Sequence, residues 1–217
     1  MKKYLPFIIL GVGALVFIGA VLLVRRNNSA SLSGDNQDQT QVVAEIPQDQ
    51  RPAAALVPKT DGHWLILKVS GIKVPNASSM DYELLYKTDK GTTQGVPGTI
   101  QLKGQTSISR DLLLGSESSG KFRYDTGVEN GTLNLRFRDS TGKLLGKLST
   151  EFHLQSGTTA LSSSDGSFKY TLNKVATGVF FVTMQPFGTP DPSSVVVFSN
   201  GWAVYASDGL AHPGTTS

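Results

Sequence analysis

Hydrophobic and polar positions divide the chain into three patterns. Tyr4–Val24 is a run of 21 residues without a charge, closed by Arg25-Arg26. At about 1.5 Å rise per residue this run makes a helix of roughly 31 Å, the thickness of a bilayer's hydrocarbon core. Pro6 falls in its first turn, where a missing N–H costs nothing. Asn27–Val57 is then rich in Ser, Asn, Gln and Asp, with Pro47 and Pro52 and few large apolar residues. It cannot bury enough surface to fold alone and reads as a flexible linker. From Thr60 onward the apolar positions recur every second residue, with turn residues between the runs.

That period of two predicts strands. They are His63–Val69, Asp81–Tyr86, Thr99–Leu102, Ser107–Arg110, Lys121–Tyr124, Thr132–Arg138 and Leu144–Leu154. Leu133, Leu135 and Phe137 share one face, and Asp139-Ser140-Thr141-Gly142 makes the last two strands a hairpin. No window of helical length has a period of 3.6. About seven short strands without helices predict an all-β antiparallel sandwich of the immunoglobulin or fibronectin type III kind, with an up-and-down barrel as the lesser alternative. Gln155–Ser164, rich in Ser, Thr and Gly, marks a boundary. Beyond it Ser167–Leu172, Gly178–Met184, Val195–Phe198 and Trp202–Ala206 read as strands, with Asn200-Gly201 suited to a type I′ turn. These either pack on the sandwich or form a small second β unit; Leu210–Ser217 reads as a frayed tail. The expected organisation is a tip and anchor at 1–26, a linker at 27–57, the sandwich at 58–155 and a β extension at 156–217.

Charge sharpens the membrane reading. Four of the 20 Lys and Arg flank the apolar run; the 16 beyond Arg26 face 17 Asp and Glu, a net −1. The basic character therefore belongs to the membrane flanks, and no basic stripe points to nucleic acid. The apolar run is too long for the core of a cleaved signal peptide, and Ser29-Ala30-Ser31 lies beyond the arginines. We expect an uncleaved signal-anchor that contacts lipid through residues 4–24, with the N-terminus inside and the long polar part extracytoplasmic. The chain has no cysteine. That excludes disulfides, thiolate metal sites, a cysteine nucleophile and a lipid-modified cysteine anchor.

Several stretches carry a resemblance. Tyr82-Glu83-Leu84-Leu85-Tyr86, Gln94–Ile100 and Arg110–Ser116 with Ser118-Ser119-Gly120 resemble a group of uncharacterised bacterial surface proteins. Those proteins have one N-terminal membrane helix and a fibronectin-like β-sandwich, and the resemblance covers Thr60–Leu154. It implies fold and location but no catalytic residues. It also implies a cysteine pair in some members at the positions of Glu117 and Phe122, a clip that this chain lacks.

Candidate chemistry is sparse. His63, His153 and His212 stand in no ligand spacing. Asp61-Gly62, Asp165-Gly166 and Asp208-Gly209 are turn dipeptides rather than a calcium loop. No serine-nucleophile motif or phosphate-binding glycine loop occurs. Glu83 and Glu151 on strands are the one conceivable glycosidase pair. Core packing is expected to account for most of Trp64, Tyr82, Tyr86, Phe122, Tyr124, Phe137 and Phe152. Trp202 and Tyr205, in the small terminal unit, are the expected exposed aromatics that contact a ligand or partner. The sequence thus points to a non-enzymatic, membrane-anchored module for binding, adhesion or envelope organisation, without cofactor or metal and with an envelope protein or polysaccharide as partner. A carbohydrate- or cell-wall-binding module and an envelope hydrolase are the alternatives.

Overall fold

The computed structural model describes residues 45–217, which belong to one compact unit. The apolar run Tyr4–Val24 and residues 27–44 of the expected linker lie outside the described residues. Among the described residues no helix is long and apolar enough to cross a membrane. Fifteen strands follow one another among these residues: β1 (Ala53–Pro58), β2 (Trp64–Ser70), β3 (Ser79–Lys87), β4 (Thr93–Gln101), β5 (Ser107–Leu113), β6 (Gly115–Ser118), β7 (Lys121–Tyr124), β8 (Asn130–Arg138), β9 (Leu144–Ser156), β10 (Ala160–Ser162), β11 (Lys169–Leu172), β12 (Phe180–Met184), β13 (Val197–Ser199), β14 (Trp202–Ala206) and β15 (Gly214–Thr216).

The architecture is all-β with antiparallel sheets, the layered arrangement expected of a sandwich. A seven-stranded sheet runs β13-β14-β12-β9-β8-β3-β4, and a three-stranded sheet, β1-β2-β5, packs on one of its faces. The alternation seen in the sequence places Leu133, Leu135 and Phe137 of β8 wholly inside, with Met80 and Leu84 of β3 and Leu65, Leu67 and Leu112 from the facing sheet. Fully burying such a side chain contributes about 1.5–3 kcal/mol. The outer positions of the same strands carry a polar network. Asn134 and Arg136 donate to Glu83, Ser149 donates to Asn134, and Arg138 donates to Asp81. The β8–β9 hairpin forms as expected, its turn held by Asp139, which accepts the Thr141 and Lys143 amides.

β9 joins the two parts of the chain. Its residues 144–153 pair with β8, and 152–156 pair with β12. The terminal strands therefore do both things the sequence left open. β12, β14 and β13 extend the main sheet, while β10, β11 and β15 form a separate three-stranded sheet over its other face. Val182, Met184, Ala203 and Tyr205 face the first core; Phe181, Val204 and Ala206 face the second, against Leu161, Tyr170 and Leu172. This is why Trp-Ala-Val-Tyr-Ala, and Phe-Phe-Val-Thr-Met apart from Thr183, are nearly continuous apolar runs: strands covered on both sides have no polar face to alternate. Asn200 and Gly201 both adopt positive φ, 52° and 81°, the geometry a two-residue turn of this kind requires.

Two expectations are corrected. Residues 53–57, assigned to the linker, belong to β1, where Ala54 and Leu56 are fully buried, and Ile46 before them already lies in the core. Their flanking prolines occupy the ends of this stretch, where a missing N–H is tolerated. The tail is not frayed throughout, because β15 pairs with β11 and the Tyr170 hydroxyl donates to the His212 carbonyl, 2.8 Å away.

Candidate functional site

The aromatic residues that meet solvent are not the expected ones. Tyr205 is fully buried opposite Val182, so it presents no ring to a ligand. Trp202 is half-buried and stacks on Phe168 with ring centres 6.1 Å apart, against the second core. Besides Phe198 of β13, 42% exposed, the exposed Phe and Tyr rings among the described residues lie together on the β6–β7 hairpin: Phe122 is 47% exposed and Tyr124 40%. Core packing therefore explains Tyr86, Phe137 and Phe152 but not these two.

The hairpin is built to stand out from the sandwich. Leu114 is buried at its base, donating its amide to the His63 carbonyl and accepting the Asp125 amide, both at 2.9 Å. The chain turns outward at Gly115, φ 154°, where an added Cβ would overlap the Arg123 carbonyl oxygen. Directly after the hairpin, Asp125 accepts the hydroxyl of the buried Tyr86 at 2.9 Å. Burial, and then the hydrogen bond to Asp125 and its charge, push the Tyr86 phenol well above its ordinary range, so it stays a neutral donor. Asp89 in the β3–β4 turn donates its amide to the Thr126 carbonyl and accepts the Thr126 hydroxyl. Both ends of the hairpin are thus tied to the sheets.

On β7 the alternation puts Phe122 and Tyr124 on one face and Lys121 and Arg123 on the other. The His63 ring stacks on Tyr124 with centres 4.2 Å apart and planes 8° from parallel. Phe122 lies 6.3 Å from Tyr124, nearly parallel at 4°, and meets Trp64 edge-on at 5.7 Å. Lys59 covers the Trp64 ring at 5.1 Å and is held there by Asp111 at 2.6 Å. The result is a continuous row, His63–Tyr124–Phe122–Trp64, with a cation at one end. Contacts between rings fix the orientation of side chains that a ligand would otherwise have to order. Glu117 sits directly opposite Phe122 in the hairpin register, so the two positions that the resemblance pairs are cross-strand neighbours.

At the His63 end the row meets a cleft of about 560 Å³, lined among others by Asp61, Asp125, Glu129 and His153. Gly62 makes the close turn there, φ 69°, against the Phe180 ring, where a side chain would collide. The other histidines are structural. His153 Nδ1 lies 2.9 Å from the Ser162 carbonyl, and His212 Nε2 lies 3.0 Å from Asp208. Glu83 is held by Asn134 and Arg136, and β8 separates it from Glu151 on β9. Among the described residues no group of three or more His, Asp or Glu could hold a metal ion.

One signal in the sequence could have exposed the row. The partner of Lys-Phe-Arg-Tyr is Gly-Ser-Glu-Ser, without an apolar residue, so the ribbon they form has no second hydrophobic strand with which to make a core. Neither the family models nor the curated proteins compared with the chain give a match.

Proposed function

We propose that the chain is a non-enzymatic binding module, an immunoglobulin- or fibronectin-like sandwich held outside the membrane by the apolar segment Tyr4–Val24, and that it engages an envelope partner through the aromatic row of the β6–β7 hairpin. The observation that carries this reading is the exposure of Phe122 and Tyr124 on a hairpin anchored at both ends. Exposed aromatics of this kind, already ordered, are the usual centres of binding energy. The 21-residue uncharged run supports the anchor, and the long polar chain behind it supports export of the C-terminal part.

Two measurements test it. Brief proteolysis of intact cells should release a resistant C-terminal fragment; protection until lysis would refute the exported orientation. Phe122→Ala/Tyr124→Ala in the full chain should abolish co-sedimentation with purified envelope fragments while leaving the melting temperature close to that of the parent. Undiminished co-sedimentation would remove the hairpin as the contact surface.

A further inference from the structure

We infer that the aromatic row and the cleft beside it form one site for a neutral or amino-bearing glycan, an inference that rests on the contact-surface reading above. The cleft begins at His63, the ring that backs Tyr124, so a chain laid along Phe122 and Tyr124 meets its mouth. Its volume, about 560 Å³, falls in the range of small-ligand sites.

The hydrogen-bonding character of the cleft selects the ligand. One Asp61 oxygen accepts the His63 amide and one Asp125 oxygen accepts the Tyr86 hydroxyl, leaving a second oxygen on each. Glu129 is exposed; its backbone carbonyl accepts the Leu154 amide, and its carboxylate has no partner among the described residues. His153 is engaged through Nδ1 with the Ser162 carbonyl. The Thr126 hydroxyl already donates to Asp89. The site therefore sets three carboxylates beside exposed aromatic rings, with the Ser156 and Thr158 hydroxyls and the Gln155 amide on the same lining.

A matching ligand brings many donors and a flat apolar flank. A sugar ring has both, since every hydroxyl donates and one C–H face can lie against an aromatic ring. An ammonium substituent would gain further from the carboxylates and from the rings. A polyanion brings acceptors and like charge, which this cleft disfavours.

Isothermal titration of the full-length chain in nanodiscs tests the inference, with oligomers of glucose, N-acetylglucosamine and glucosamine as probes and heparin as the anionic comparison. Binding of at least one neutral or amino oligomer, and none of heparin, is the expected result. Phe122→Ala and Tyr124→Ala should each weaken it about tenfold or more, whereas Tyr124→Phe, which keeps the ring and the fold, should retain most of it. Glu129→Gln should weaken the glucosamine oligomer more than the neutral ones. Stronger binding of heparin, or glycan binding indifferent to both alanine variants, would overturn the inference. If no oligomer binds but the double alanine variant still loses envelope fragments, the hairpin remains the contact surface and only the glycan assignment falls. If neither measurement responds, both readings fall.

Discussion

Tyr205→Phe gives a sharp test of how the two-faced sheet is packed. The Tyr205 ring is fully buried in β14, and its hydroxyl has no hydrogen-bond partner among the described residues. Burial alone pushes the phenol above its ordinary range. An unpaired buried hydroxyl costs about 1–3 kcal/mol, and phenylalanine removes that cost while keeping the ring. Against this stands the space left by one oxygen, worth about 1 kcal/mol if nothing closes it. The expected balance is a gain of about 1 kcal/mol, or about 2–4 °C in melting temperature for a domain of this size. Thermal and urea denaturation of the full chain would measure it, with Tyr86→Phe as the counterpart. That hydroxyl donates to the Asp125 carboxylate, so its removal should cost about 1.5–3 kcal/mol. The two substitutions are chemically identical and should have opposite signs. Equal losses would refute the reasoning. They would mean that the Tyr205 hydroxyl is satisfied, for instance by water in the cleft bordered by Ala54, Ser107 and Ser194.

Four further outcomes are expected. Leu56→Ala should destabilise the folded part by about 2–5 kcal/mol in urea unfolding, because Leu56 is fully buried; a negligible change would return 53–57 to the linker. Trp202→Ala should lower the melting temperature without altering capture of envelope fragments, since its ring is spent on Phe168; loss of capture at unchanged stability would restore it as a contact. Gly115→Ala should cost about 1–3 kcal/mol of local strain and speed amide exchange through residues 116–124, an effect absent if the hairpin base is loose. Stability should fall as pH rises beyond 10, the ordinary phenol value, because Tyr86 and Tyr205 stay protonated when folded and ionise when unfolded. Urea midpoints across that range should drop less in Tyr205→Phe than in the parent; an identical drop would remove Tyr205 from the explanation.

Comparing residues shows which inferences local pattern can carry. The β8–β9 hairpin was legible because alternation and a four-residue polar turn act within about 25 residues, and the Asn200-Gly201 turn because two positive φ values have a strong residue preference. β1 was hidden. Its buried positions are Ala54, Leu56 and Pro58, with one large aliphatic side chain among them, and strands that pack on it include the distant pair β12 and β14. The candidate site was inverted for the same reason. Trp202 and Tyr205 look exposed if the terminal strands stand alone, and Phe122 looks buried if every strand aromatic belongs to a core.

The sequence by itself determined the class of the fold, the positions of most strands and the absence of thiol chemistry, since period, turn residues and composition are properties of neighbours along the chain. Tertiary structure alone decided that β12 and β14 are covered on both faces and that the β6–β7 hairpin meets the rest of the chain only through rings such as His63 and Trp64 on one side. Burial depends on which sheet arrives from elsewhere in the chain: β1-β2-β5 and β10-β11-β15 meet the terminal strands from opposite sides, while Gly-Ser-Glu-Ser leaves Phe122 and Tyr124 facing water.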